Sequence, residues 1–126
     1  MRLVFLFLLC LIAPAVAGAQ TRADMQCKSA GKELIYNCVI RLARADQPVT
    51  GAQLTVAAEM PSMPGEHSVK PVKARPGKGP GEYLVRLDLD MPGEWDVKLR
   101  LSAPVRDQVV LHYQFDERGG RAIRRR

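Results

Sequence analysis

Two histidines, three cysteines and one tryptophan are all that this 126-residue chain carries of the residue types that most often do chemistry. The shortage excludes a good deal. There is no C-x-x-C pair, so a thioredoxin-like redox site is excluded. Gly77, Gly79 and Gly81 lie among prolines and do not open a helix, so there is no phosphate-binding glycine loop. Ser29, Ser62, Ser68 and Ser102 all fall in or beside turns, and none has the setting of a nucleophile. No stretch holds helical periodicity, and no internal repeat is visible. Enzyme chemistry is therefore not expected. Charge of one sign is also scarcer than the net +6 implies. Arg2 lies at one end, and Arg121, Arg124, Arg125 and Arg126 lie at the other. Without these five, the remaining 14 basic residues stand against 13 acidic ones. A basic pI thus gives no reason to expect a nucleic-acid partner.

The first residues follow the secretory pattern. Arg2 precedes the apolar run Leu3 to Val16, and small residues follow it. The run is short for a membrane span, which takes about 20 apolar residues. Ala15-Val16-Ala17 and Ala17-Gly18-Ala19 both fit a cleavage triplet, and cleavage after Ala19 is preferred. The other reading is an uncleaved anchor. A lipoprotein is discounted because Leu9, not a small residue, precedes Cys10. Residues 1–19 are thus expected to direct export to the periplasm and to leave a domain of about 107 residues. Cys10 departs with them, leaving Cys27 and Cys38. An even pair in an oxidising compartment reads as a disulfide, against a dithiol metal or redox site as the alternative. Closing so short a loop contributes on the order of 2–3 kcal/mol.

The remainder reads as short strands. Leu34, Tyr36, Cys38, Ile40 and Leu42 alternate with polar or outward residues. So do Leu54, Val56, Ala58 and Met60; Tyr83, Val85, Leu87 and Leu89; Trp95, Val97, Leu99 and Leu101; and Val109, Leu111, Tyr113 and Phe115. Val69 to Lys73 is a proline-marked edge candidate. Met25 to Lys28 is expected to pair locally with the Cys38 strand. Turn signals such as Asp46-Gln47-Pro48 and Met91-Pro92-Gly93 separate the runs. This pattern predicts an all-β fold: an immunoglobulin-like antiparallel β-sandwich of about seven strands over residues 20–118. Residues 119–126 are expected to form a frayed basic tail.

One cluster stands out. Met60-Pro61-Ser62-Met63-Pro64-Gly65-Glu66-His67 places two thioethers and an imidazole within one short loop. Thioether sulfur favours Cu(I), and imidazole suits both copper oxidation states. The prolines stiffen the segment and lower the cost of ordering it. The competing reading gives Met60 and Met63 to packing and His67 to the surface. Met91 would be a third sulfur if its turn shares that end of the fold. His112 reads as a surface histidine unless the fold carries it to the Met loop. Asp88, Asp90, Glu94 and Asp96 read as a solvated sheet face.

Three segments together have a familiar form: Met60 to Pro64 with His67, then Gly81-Glu82-Tyr83, then Met91-Pro92-Gly93-Glu94-Trp95-Asp96-Val97. The series resembles the YtkA-like family, close to the FixH-like domains, over roughly Gln53 to Phe115. That resemblance implies an exported or membrane-tethered immunoglobulin-like sandwich associated with copper handling and with assembly of haem–copper oxidases. It matches Met60, Met63 and His67 to the family's Met-rich segment. FixH-like proteins keep a membrane helix ahead of the domain, whereas the segment here reads as cleavable. Cys27 and Cys38 lie outside the resemblance. The expectation is a non-enzymatic periplasmic protein that captures Cu(I) through Met60, Met63 and His67 and passes it to a copper-receiving or envelope partner. The alternative is a metal-free structural or interaction module of the envelope.

Overall fold

The computed structural model describes residues 19–124. All of the expected secretory segment except Ala19, and the last two arginines, lie outside the described residues. Among the described residues ten strands follow in order: β1 Thr21–Ser29, β2 Ile35–Arg44, β3 Gln47–Pro48, β4 Gln53–Glu59, β5 Ser68–Lys73, β6 Arg75–Pro76, β7 Glu82–Asp88, β8 Gly93–Ala103, β9 Asp107–Phe115 and β10 Gly119–Ala122. All pairings are antiparallel. No helix occurs among the described residues, so none is long and apolar enough to cross a membrane.

The all-β expectation holds, with more strands than the seven expected. The three additional ones are β3, β6 and β10. None is longer than four residues, and none has an apolar alternation that could announce it. Pairing runs β5-β4-β8-β9-β10-β1-β2-β7-β6, with β3 on β2. The result is a sandwich rolled towards a barrel. On one side β10 bridges the two halves, pairing with both β9 and β1. On the other side the chain itself crosses: β5 pairs with β4, and two residues later β6 pairs with β7. Ala74 sits between them, buried, with its N–H donating to the Leu54 carbonyl at 2.9 Å.

The strand alternation places the core correctly. The inward residues of β4, β7 and β8 are all buried, as are Tyr36, Cys38, Ile40 and Leu42 of β2. Trp95, Phe115, Leu87, Leu99 and Val97 are completely enclosed. Burying each such side chain stabilises the fold by about 1.5–3 kcal/mol. Three tyrosines bring hydroxyls into this apolar interior, and each donates to a main-chain carbonyl. Tyr36 reaches Asp116 O at 2.6 Å, Tyr83 reaches Val49 O at 2.6 Å, and Tyr113 reaches Met25 O. Tyr83 also accepts from Ala52 N at 2.9 Å, so one ring fastens the loop between β3 and β4. Burial pushes the Tyr36 and Tyr113 phenols above their ordinary range.

Cys27 and Cys38 form a disulfide. They are direct cross-strand partners on β1 and β2, so the bond joins adjacent strands rather than opposite layers. Both residues are buried.

The expected frayed tail needs correction. Gly119–Ala122 is strand β10, and Ile123 N donates to His112 O at 2.9 Å. The ordered domain therefore extends past residue 118. Hydrogen bonds to the β1 and β9 edges hold a segment whose own composition is polar and glycine-rich.

The β2–β3 hairpin turns at Ala45-Asp46, directly between the Arg44↔Gln47 partners. Both turn residues have positive φ, 49° and 60°. This is the primed turn geometry that suits the strand twist but penalises alanine. Replacing the pair with Asn-Gly should raise stability by about 1 kcal/mol. A urea melt would register this as a higher midpoint with an unchanged slope.

Candidate functional site

The Met-rich segment is a closed loop between β4 and β5. Met60 ends the inward alternation of β4 and is only 4% exposed. From there the backbone makes two successive turns, with Met63 N donating to Met60 O at 3.1 Å and Glu66 N to Met63 O at 3.3 Å. Met60 N then donates to His67 O at 3.3 Å and closes the loop. Ser68 pairs with Glu59, and the sheet resumes. His67 therefore stands at the base of the loop, opposite Met60. Met63 is half-buried against the core edge.

A second turn meets this loop. Asp90, in the β7–β8 connection, places Oδ2 2.7 Å from His67 Nδ1. Their side chains are 28% and 54% exposed for histidine and aspartate, so the pair is reachable from solvent. Met91 follows, half-buried, and its carbonyl accepts from Trp95 Nε1 at 3.2 Å. A Cβ on Gly93 would meet Met60 Cε at 3.1 Å, so the two turns are in contact. The condition set for Met91 is met: its turn shares the end of the fold that carries Met60, Met63 and His67.

The three sequence-selected residues share one loop, with unequal exposure. His67 is accessible, Met63 borders the core, and Met60 is a core residue. Asp90 is the participant that sequence reasoning missed. By sequence it alternates with Asp88, Glu94 and Asp96 and reads as part of a solvated face. A carboxylate at Nδ1 accepts from Nδ1–H, so in a neutral ring the lone pair is on Nε2. Histidines that bind metals are oriented in this way.

His112 lies elsewhere. It sits on β9, with Nδ1 2.7 Å from Asp96 Oδ1. In register it is three strands away from Ser68, the neighbour of His67, across the row Ser68, Glu59, Asp96, His112. It takes no part in the Met loop. Among the described residues no group of three or more histidine, cysteine, aspartate or glutamate side chains is placed to hold a metal. Any metal chemistry at the loop would rest on thioether sulfur.

Fold and loop define a disulfide-linked antiparallel β-sandwich with a Met–His loop at one end, an architecture compatible with an exported protein. The model of the YtkA-like family matches residues 24–100, more than half of the chain, and the chain belongs to that family. No curated protein and no solved structure matches it. The match takes in both cysteines, which the motif resemblance had left out, and stops before β9 and β10.

Proposed function

We propose that this protein is a non-enzymatic, extracytoplasmic carrier of Cu(I), with the ion as cargo. The observation that carries the reading is the His67–Asp90 pair at 2.7 Å on the loop that also carries Met63. It orients a partly exposed imidazole on a proline-stiffened loop that also carries thioethers. His67 and Met63 would meet the ion first. Met60, buried at the base of the same loop, would supply a further soft donor from the core edge. Soft sulfur and neutral imidazole select Cu(I) over hard cations. An incomplete, one-sided ligand set favours ligand exchange with a receiving protein over storage.

Competition titration with a Cu(I) chelator tests the reading. The variant Met60→Leu/Met63→Leu/His67→Ala should bind at least tenfold more weakly than the wild type. Met→Leu conserves volume, so the fold is retained. Asp90→Asn should weaken binding by about tenfold through His67 orientation alone. Equal weak binding by the wild type and the triple variant would end the proposal.

The burial of Met60 favours a second reading, in which the loop is a metal-free contact surface anchored by its methionines. Under that reading all of these variants leave copper binding unchanged.

A further inference from the structure

Register segregates charge on the outer face of the β5-β4-β8-β9 half. Glu59, Asp96 and His112 form one row near the Met loop, and Glu94 lies beyond them on β8. Further along, Lys98 stands beside Ala57 and Val110. Next comes a row of Lys73, Thr55, Arg100 and Gln108. The acidic groups gather at the loop end and the cations away from it. These residues come from four strands, so counting charge along the chain averages them out.

A trough of about 290 Å³ runs over β4 within this cationic zone. Thr55 and Ala57 form its floor, and Lys70, Lys98 and Arg100 line its walls. Glu59 also lines it, but Lys98 Nζ holds that carboxylate at 2.7 Å. Among the described residues Lys70 and Arg100 make no ion pair and no side-chain hydrogen bond. Both are exposed. Two cations are therefore left uncompensated over a floor of small side chains.

We propose that this trough is a docking site for an extended acidic segment of a partner protein. The dimensions follow from sheet geometry. The strands on either side of β4 stand about 9–10 Å apart, which is room for one extended chain above its small side chains. Arg100 stands opposite Thr55, and Lys70 follows Val69, the partner of Ala58, so the two unpaired cations are offset along β4 by roughly 7 Å, the spacing of alternate side chains in an extended peptide. Carboxylates at every second position meet this spacing. A guanidinium offers a carboxylate two parallel hydrogen bonds, and an ammonium offers a point charge. A flat anionic membrane would also press against Glu94 and Asp96, whereas a peptide confined to the trough avoids both and meets only Glu59, which Lys98 already holds. The site is separate from Met63 and His67, so its failure would leave the copper reading untouched.

Fluorescence anisotropy of a labelled (Glu-Thr)4 peptide, with (Gln-Thr)4 as its neutral counterpart, tests the proposal on the purified protein in dilute salt. The wild type should bind the acidic peptide and not the neutral one. Binding should weaken as salt rises. Lys70→Glu/Arg100→Glu should reduce affinity at least tenfold, with an unchanged circular dichroism spectrum. Arg121→Glu/Arg124→Glu makes the same charge change away from the trough and should stay within twofold of wild type. Equal losses in the two double variants would reduce the effect to net charge and overturn the site. So would absence of peptide binding by the wild type. Binding to phosphatidylglycerol vesicles in place of the peptide, lost in Lys70→Glu/Arg100→Glu, would assign the face to a membrane and likewise overturn it.

Discussion

Trp95→Ala is expected to lower the unfolding free energy by about 3–5 kcal/mol. The whole stability of a domain of this kind is about 5–15 kcal/mol, so the variant should be close to the folding threshold. The reason is local. Trp95 is fully buried on β8, directly opposite Tyr113 in register. Tyr113 and Phe115 stand 6.0 Å apart, and Phe115 and Tyr36 stand 4.9 Å apart, in a connected aromatic layer. Truncation leaves a cavity in that layer, which the surrounding packed side chains fill only in part. It also removes the indole N–H from the Met91 carbonyl. That bond fastens the turn that presents Asp90, so the variant should weaken the His67 pairing as well as the core. Urea unfolding followed by far-UV circular dichroism measures the first effect. Tryptophan fluorescence cannot, because Trp95 is the only tryptophan. A loss below 1 kcal/mol would contradict the place given to Trp95 in the core.

Gly119→Ala should be the most damaging single-methyl change. A Cβ at Gly119 would lie 2.3 Å from the Cys27 carbonyl oxygen. The obstacle is main chain, on a strand bonded to β2 by the disulfide, so it cannot swing aside as a side chain could. Gly120 is confined similarly, with a Cβ there 2.6 Å from the Phe115 ring. The turn before them is tight: the Asp116 carboxylate accepts from Arg118 N at 2.8 Å and Gly119 N at 3.1 Å. Those two bonds hold its carboxyl below the usual range. Overpacking costs about 1–3 kcal/mol, and more where backbone must move. Alanine should therefore detach β10 from β1 and open one seam of the sandwich. Amide hydrogen exchange checks this. Residues 120–123 should lose protection, while β4 and β8 keep theirs. Unchanged protection at β10 would contradict the seam.

Much of the core was legible because period-two alternation needs only local information. Every residue assigned inward on β2, β4, β7, β8 and β9 is buried or half-buried. The cysteine pairing was legible too, since two neighbouring strands joined by a short turn place Cys27 opposite Cys38. β10 was not legible. Gly119-Gly120-Arg121-Ala122 carries no hydrophobic pattern, and its strand conformation comes from two distant edges that it happens to fit. Nor was β6, which exists because the chain after β5 crosses to β7. At the candidate site the loop residues could be read and their partner could not. Asp90 is 23 positions from His67, and nothing in either segment names the other.

The sequence by itself determined the class of this protein, its inward faces, its disulfide and its family motif, because each is written in spacing along one segment. Tertiary structure decided how the sandwich closes, which turn meets the Met loop and where charge accumulates. These depend on register between strands far apart in sequence. Lys70, Lys98 and Arg100 become neighbours only when β4 brings β5 and β8 to its two edges.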